Sequence, residues 1–181
     1  MPRYIAFLRA INVGGRVVKM ERLRLAFEEL GLAKVETFIA SGNVIFGTRA
    51  KAPTIERKIA AHLEKTLGYE VTTFIRSDAE LAEIAERKAF PTSEMEVPES
   101  TLFIGLLAGE PSKEAQTKLL AAPSKVDLFR FHGRELYWLC RTRASDSEFS
   151  GARLEKILGL RATVRNANTI QRLVAKYPAS S

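Results

Sequence analysis

One order of hydrophobic patterns runs through this chain twice, and that repetition restricts its fold more than any other feature. Tyr4 to Ala10 (YIAFLRA) is almost continuously apolar, as a strand buried on both faces would be. A helix is expected from about Lys19 to Leu30, with Met20, Leu23, Phe27 and Leu30 on one face and Gly31 placed to end it. The strand Lys34 to Ala40, the turn Ser41-Gly42-Asn43 and the strand Val44 to Thr48 then read as a hairpin. Ile55, Ile59, Leu63 and Leu67 share a face of a helix running from about Thr54 to Leu67, and Glu70 to Arg76 supplies a fourth strand. Ser77-Asp78-Ala79-Glu80 is a capping box that opens an extra helix, Asp78 to Lys88.

The same order returns after the polar stretch Ser93 to Ser100. Strand Thr101 to Ala108, helix Ser112 to Ala122, strand Lys125 to Phe131, turn His132-Gly133, strand Glu135 to Cys140, helix Gly151 to Leu158, strand Arg161 to Arg165 and final helix Asn166 to Lys176 follow in turn. The expected fold class is therefore α+β, with two consecutive ferredoxin-like βαββαβ halves, each followed by an extra helix. The expected organisation is a first half with its helix over 1–92, a linker over 93–100, and a second half with its C-terminal helix over 101–181. Duplication and convergence on a shared topology both account for the repeat.

Topology gathers three segments. In a βαββαβ sheet a helical crossover makes the first two strands run the same way, and the hairpin turns the third back. The end of the first strand and the turn after the second then lie at one edge. There the sequence places Arg9, Asn12, Gly14, Gly15, Arg16 and Lys19 beside Ser41, Gly42 and Asn43. A Gly-rich loop entering a helix can direct amide groups and cationic side chains at an anion. The loop matches no nucleotide-binding fingerprint, and a tight connection shaped by two glycines, with Asn12 bonding backbone, accounts for the same residues. The third segment, Arg165, Asn166, Asn168 and Thr169, either caps the last helix or contributes polar groups to a site. Arg161, Arg165, Arg172 and Lys176 surround it without an acid, so a ligand there would be anionic.

Three blocks of sequence carry a resemblance. Leu8-Arg9-Ala10-Ile11-Asn12-Val13-Gly14-Gly15, Thr37 to Phe46 (TFIASGNVIF) and Ala162 to Thr169 with Leu173 resemble the signature blocks of the bacterial proteins grouped as domain of unknown function 1697. The resemblance implies a pair of ferredoxin-like α+β subdomains and brings no activity with it. Two positions depart from the family pattern, which usually has glycine where Ala10 stands and tryptophan where Ala167 stands.

Several functions are disfavoured by what the chain lacks. His62, His132 and Cys140 are its only histidines and cysteine, so a Cys/His zinc site is excluded and no metal or other cofactor is expected. Cys140 ends an apolar strand (LYWLC), as an inert core thiol does. No paired-carboxylate site and no serine elbow is present, and no residue is nominated as catalytic. The chain has no apolar run of membrane-spanning length and no signal-peptide pattern, so the cytoplasm is the expected address and no membrane partner is expected. The residues carry no signal for an oligomeric state.

The net charge of +7 is spread over both halves, with no basic tail. A small anionic or phosphate-bearing ligand at the Gly-rich loop edge is the first functional expectation. Nucleic acid bound by dispersed basic surface, for example by Arg130, Arg134, Arg141 and Arg143, comes second, and a protein-interaction module third.

Overall fold

In the computed structural model, which describes residues 1–122 and 124–180, the chain forms two four-stranded antiparallel sheets. Pro123 and Ser181, both within the expected second half, lie outside the described residues. The chain divides into one compact unit of Met1–Glu83 with Leu173–Ser181 and a second of Ile84–Arg172.

The first unit is built from β1 (Arg3–Leu8), α1 (Met20–Glu28), β2 (Ala33–Phe38), β3 (Asn43–Gly47), α2 (Ala52–Leu67) and β4 (Thr73–Ser77), followed by α3 (Asp78–Glu86). Its strands lie in the order β2-β3-β1-β4, the ferredoxin-like arrangement expected from the sequence. Ala6, Leu8, Val44, Phe46 and Ile75 form one face of the sheet and pack with Leu23 and Phe27 of α1 and Ile55, Ile59 and Leu63 of α2. Alternation puts Ile5, Phe7, Ile45 and Phe74 on the other face, and these are buried too. Burial on both faces explains why β1 reads as a continuous apolar run.

The first helix of this unit begins without a side-chain cap, whereas Gly68 closes α2 in the left-handed conformation, with φ +81°. The capping box is complete: Glu80 N donates to Ser77 Oγ (3.1 Å) and Ser77 N to Glu80 Oε2 (2.7 Å).

The second unit contains α4 (Thr92–Met95), β5 (Thr101–Leu107), α5 (Lys113–Leu120), β6 (Asp127–His132), β7 (Glu135–Cys140), α6 (Gly151–Leu158) and β8 (Ala162–Asn166), after which α7 (Ala167–Lys176) runs towards the C-terminus. Strand order β6-β7-β5-β8 repeats that of the first sheet. Ser112 and Ser150 cap α5 and α6, accepting from Ala115 N and Arg153 N. Leu107, Leu119, Phe129, Trp138, Leu154 and Leu158 belong to one core cluster. Phe129 stacks on Trp138 with centroids 6.2 Å apart and meets Phe149 edge-on at 4.9 Å. The aromatic residues of this hairpin are thus core.

Strand pairing brings out a correspondence between the sheets. Ile5 pairs with Arg76 across β1 and β4, and Ile104 pairs with Arg165 across β5 and β8. Both arginines are buried and sit at equivalent places.

Several local details differ from the expectation: β2 ends at Phe38 rather than Ala40, Asn43 pairs with Phe7 and Phe38 instead of lying in the turn, and β4 starts at Thr73 rather than Glu70, because strand pairing and not the apolar pattern sets these ends. The apolar run through Ala10 stays in the ladder only to Leu8, and Ala10 takes a left-handed conformation (φ +60°). His132 belongs to the ladder, paired with Glu135, so the hairpin turns on Gly133 and Arg134. The polar stretch read as a linker contains most of the one-turn helix α4.

The left-handed conformation costs an alanine at position 10 roughly 1–2 kcal/mol, a strain that a glycine would escape. Ala10→Gly should therefore raise stability by about 0.5–1 kcal/mol, allowing for the greater freedom of an unfolded glycine, as read from the urea midpoint. An unchanged or lower midpoint would contradict this strain.

Candidate functional site

Pairing of Phe7 with Asn43 sets the end of β1 beside the β2–β3 turn, so the expected edge exists. Leu8 N donates to Gly42 O (2.9 Å), and a Cβ on Gly42 would lie 3.1 Å from the Cβ atoms of both Leu8 and Ile11. Gly42 also has φ +78°, so that position needs glycine for both space and conformation. Asn12 ties the two segments together. Its Nδ2 donates to Ala40 O (2.9 Å) and its Oδ1 accepts from Val18 N (2.6 Å). Asn43, fully buried, donates through Nδ2 to Phe38 O (3.0 Å) and Ser41 Oγ (2.9 Å).

Asn12, Ser41, Gly42 and Asn43 thus meet at one edge and hold its shape by bonding or packing on one another's segments. Gly14 and Gly15 (φ +59° and +80°) form the centre of a turn closed by Arg16 N to Val13 O (3.1 Å). Their positive φ values match a type I′ turn, and neither glycine has an atom within 4 Å of its missing Cβ. Arg9 anchors the start of the loop through its backbone N–H to Thr72 O (2.9 Å).

Beyond the turn lies a pocket of about 400 Å³ between the start of α1 and the end of α2, lined by Arg16, Val17, Val18, Lys19, Arg22, Thr66, Leu67 and Tyr69. Among the described residues no acidic side chain lines it. The Arg16 guanidinium lies over the Tyr69 ring, 4.3 Å from its centroid. Arg22 Nη2 donates to Thr66 O (3.0 Å), placing a cation at the negative end of the α2 dipole. Among the described residues, Arg16, Lys19 and Arg22 have no carboxylate partner. Among the described residues the buried Tyr69 hydroxyl has no hydrogen-bond partner.

Of the residues nominated from sequence, Arg16 and Lys19 line this pocket, and the others of the first half shape the loop and turn beside it. Arg22, Thr66 and Tyr69 complete it and were not nominated. Arg16, Lys19 and Arg22 recur every third residue, a spacing that would have exposed the two-arginine, one-lysine group. Tyr69, by contrast, follows the helix-ending Gly68 far along the chain.

The third segment belongs to the second unit. Arg165 is buried and donates to Thr163 Oγ1 (2.7 Å) and Val164 O (3.1 Å); burial pushes its pKa down to about 10, so it stays charged at neutral pH. Asn166 Oδ1 accepts from Asn168 N (2.8 Å), which is the helix-opening role the sequence allowed. Asn168 is exposed and Thr169 half-buried. Elsewhere in that unit burial pushes the Cys140 thiol up, keeping it protonated and unreactive at neutral pH. Among the described residues no helix is long and apolar enough to cross a membrane.

The family model described as "Protein of unknown function (DUF1697)" matches residues 1–137. The chain belongs to this family. The matched stretch contains the loop edge and the whole basic pocket, while the Arg165 to Thr169 segment lies beyond it. No curated protein matches the sequence. Among solved structures the chain is similar to "conserved bacterial protein SP0830 from Streptococcus pneumoniae", with a TM-score of 0.73 and 23% identity over 95% of this chain and 96% of the other. At that identity the likeness is one of fold.

Proposed function

We propose that this member of the family binds a small anionic, phosphate-bearing ligand in the pocket beside the Gly-rich loop of the first unit. The observation that carries the reading is the convergence of Arg16, Lys19 and Arg22 on one cavity with no carboxylate to neutralise them. At an effective dielectric near 20, each cation within about 4 Å of an anionic oxygen contributes on the order of 4 kcal/mol of gross attraction before desolvation and screening. Desolvating the ligand and its partners takes back most of that, so the three contacts together support ordinary metabolite affinity. Arg9 and the clamped segment from Asn12 to Asn43 hold the loop in place. No catalytic role is assigned to any residue, and no metal or other cofactor is needed for binding.

Two observations favour this over nucleic acid on the second-unit hairpin. Arg130 lies over Phe90 and donates to Phe129 O, Arg141 donates to Lys125 O, and Arg143 pairs with Glu99, so these groups are turned to their own unit. Stacking of bases on the sheets is also disfavoured, because the inner strands β3 and β7 are buried throughout and the inner strands β1 and β5 are buried except for half-buried residues at their starts, Arg3, Tyr4 and Thr101 to Phe103. An interaction module is favoured by one feature, the exposure of Val13 (53%), Val17 (84%) and Ile39 (40%) near the loop edge. A single buried cysteine suits the reducing cytoplasm, which we take as the working address.

The test is a thermal-shift panel of phosphorylated and carboxylate metabolites and of oligonucleotides at two salt concentrations. A phosphorylated metabolite should stabilise the parent with modest salt dependence, and Arg16→Gln/Lys19→Gln/Arg22→Gln should lose at least tenfold in affinity for it. Hits confined to oligonucleotides, falling steeply with salt, would overturn the reading.

A further inference from the structure

Three cations answer the charge of a pocket ligand, but they leave the Tyr69 hydroxyl unexplained. A buried hydroxyl without a partner is uncommon in folded proteins. The ring that carries it is covered on one face, where the guanidinium carbon of the exposed Arg16 lies 4.3 Å from the ring centroid of the half-buried Tyr69. The hydroxyl is a donor in need of an acceptor, and the pocket walls include no carboxylate to offer one.

We infer that the pocket takes a phosphate monoester dianion, that the Tyr69 hydroxyl donates to one of its oxygens, and that Arg16 is the cover that leaves the ring to join it. This rests on the anion-binding reading and specifies its ligand. A phosphate monoester carries a charge of about −1.5 to −2 at neutral pH, which suits three uncompensated cations better than a carboxylate does. Two guanidinium forks match phosphate oxygens bidentately, and Lys19 adds a point charge. Val17, Val18 and Leu67 give the same pocket an apolar wall, which fits the organic group of an ester and is of no use to inorganic phosphate. Tyr69 would then tell a tetrahedral oxyanion from a carboxylate by an extra hydrogen bond that only the former is shaped to reach.

Calorimetric titration of the full chain with butyl phosphate, inorganic phosphate and pentanoate tests this, with Tyr69→Phe beside the parent. The parent should bind butyl phosphate at least tenfold more tightly than either of the others. Tyr69→Phe keeps the ring under Arg16 and should lose about tenfold for butyl phosphate while changing pentanoate affinity little. Equal affinity of the variant and the parent for butyl phosphate would overturn the role of the hydroxyl and leave the anion site standing. Equal affinity of the parent for pentanoate and butyl phosphate would overturn the choice of dianion. Failure of the parent to bind any of the three would remove the anion site itself. Ultraviolet difference absorption of the tyrosines in the parent gives a readout that needs no variant. Butyl phosphate should perturb it, and an unchanged spectrum at saturation would contradict the new hydrogen bond.

Discussion

Asp127→Ala is expected to destabilise the protein by about 3–5 kcal/mol, enough to lower its melting temperature by roughly 10 °C. Asp127 is buried at the start of β6 and accepts from Trp138 Nε1 (2.7 Å), Ser147 Oγ (2.8 Å) and Ser124 Oγ (2.8 Å). Each bond to a carboxylate contributes on the order of 1.5–3 kcal/mol, and the three act on one group, so they are not summed. The dominant loss is the Trp138 indole N–H, left in the core without a partner. The same carboxylate joins the segment before β6 to the one after β7. Ser124 Oγ accepts from the backbone N–H of Val126 and Asp127, and Ser147 Oγ accepts from Phe149 N. Asp127→Asn keeps an acceptor and should lose about half as much. A loss below about 1 kcal/mol for the alanine variant, measured by urea unfolding, would contradict the proposed network.

Gly42→Val should cost about 3 kcal/mol and disturb the loop edge as a whole. A β-branched residue at φ +78° loses roughly 1–2 kcal/mol on conformation. Its Cβ would also stand 3.1 Å from those of Leu8 and Ile11, both buried, and crowding of that kind costs about 1–3 kcal/mol. Gly14→Ala is the control. Gly14 has the same sign of φ but nothing within 4 Å of a Cβ, so only the conformational part, about 1 kcal/mol, should appear. Equal losses at the two positions, compared by chemical unfolding, would show that the contact of Gly42 with β1 and Ile11 does not matter.

The fold was legible in the sequence because its signals are local and repeat. Alternating and continuous apolar runs distinguish strands from the three-to-four spacing of α1 and α2, and Gly68 marks a helix end unaided. Where the reading slipped, a local pattern had no way to report a pairing. Nothing in YIAFLRA separates Leu8, the last residue in the ladder, from Ala10, which has already turned away. Nor does the sequence around His132 tell a ladder residue from a turn residue, since its partner Glu135 is what decides. One-turn α4 is too short to show a period.

The candidate site was legible in part, for the same reason. Topology alone brought Asn12 and Ser41 to one edge. The roles of these residues depend on bonds across the edge, such as Asn12 to Ala40 O, so a side chain that looked available for a ligand turns out to hold the backbone. The pocket itself is assembled by contacts between distant residues, Arg22 with Thr66 and Arg16 with Tyr69. Sequence spacing could group the three cations, but only the packing of α1 against α2 supplies the tyrosine. The equivalence of Arg76 and Arg165 likewise needed the strand register, because the segments around them share little else.

An anion bound in the pocket beside the Gly-rich loop should leave its mark on the residues that line it. Backbone amide shifts followed by two-dimensional NMR during titration with butyl phosphate would locate it directly. The largest shifts should fall at residues 16–22 and 66–69, saturating together, with little change on the second-unit hairpin. Shifts centred on Arg130, Arg134, Arg141 and Arg143, or scattered over the basic surface without saturation, would contradict binding in the pocket.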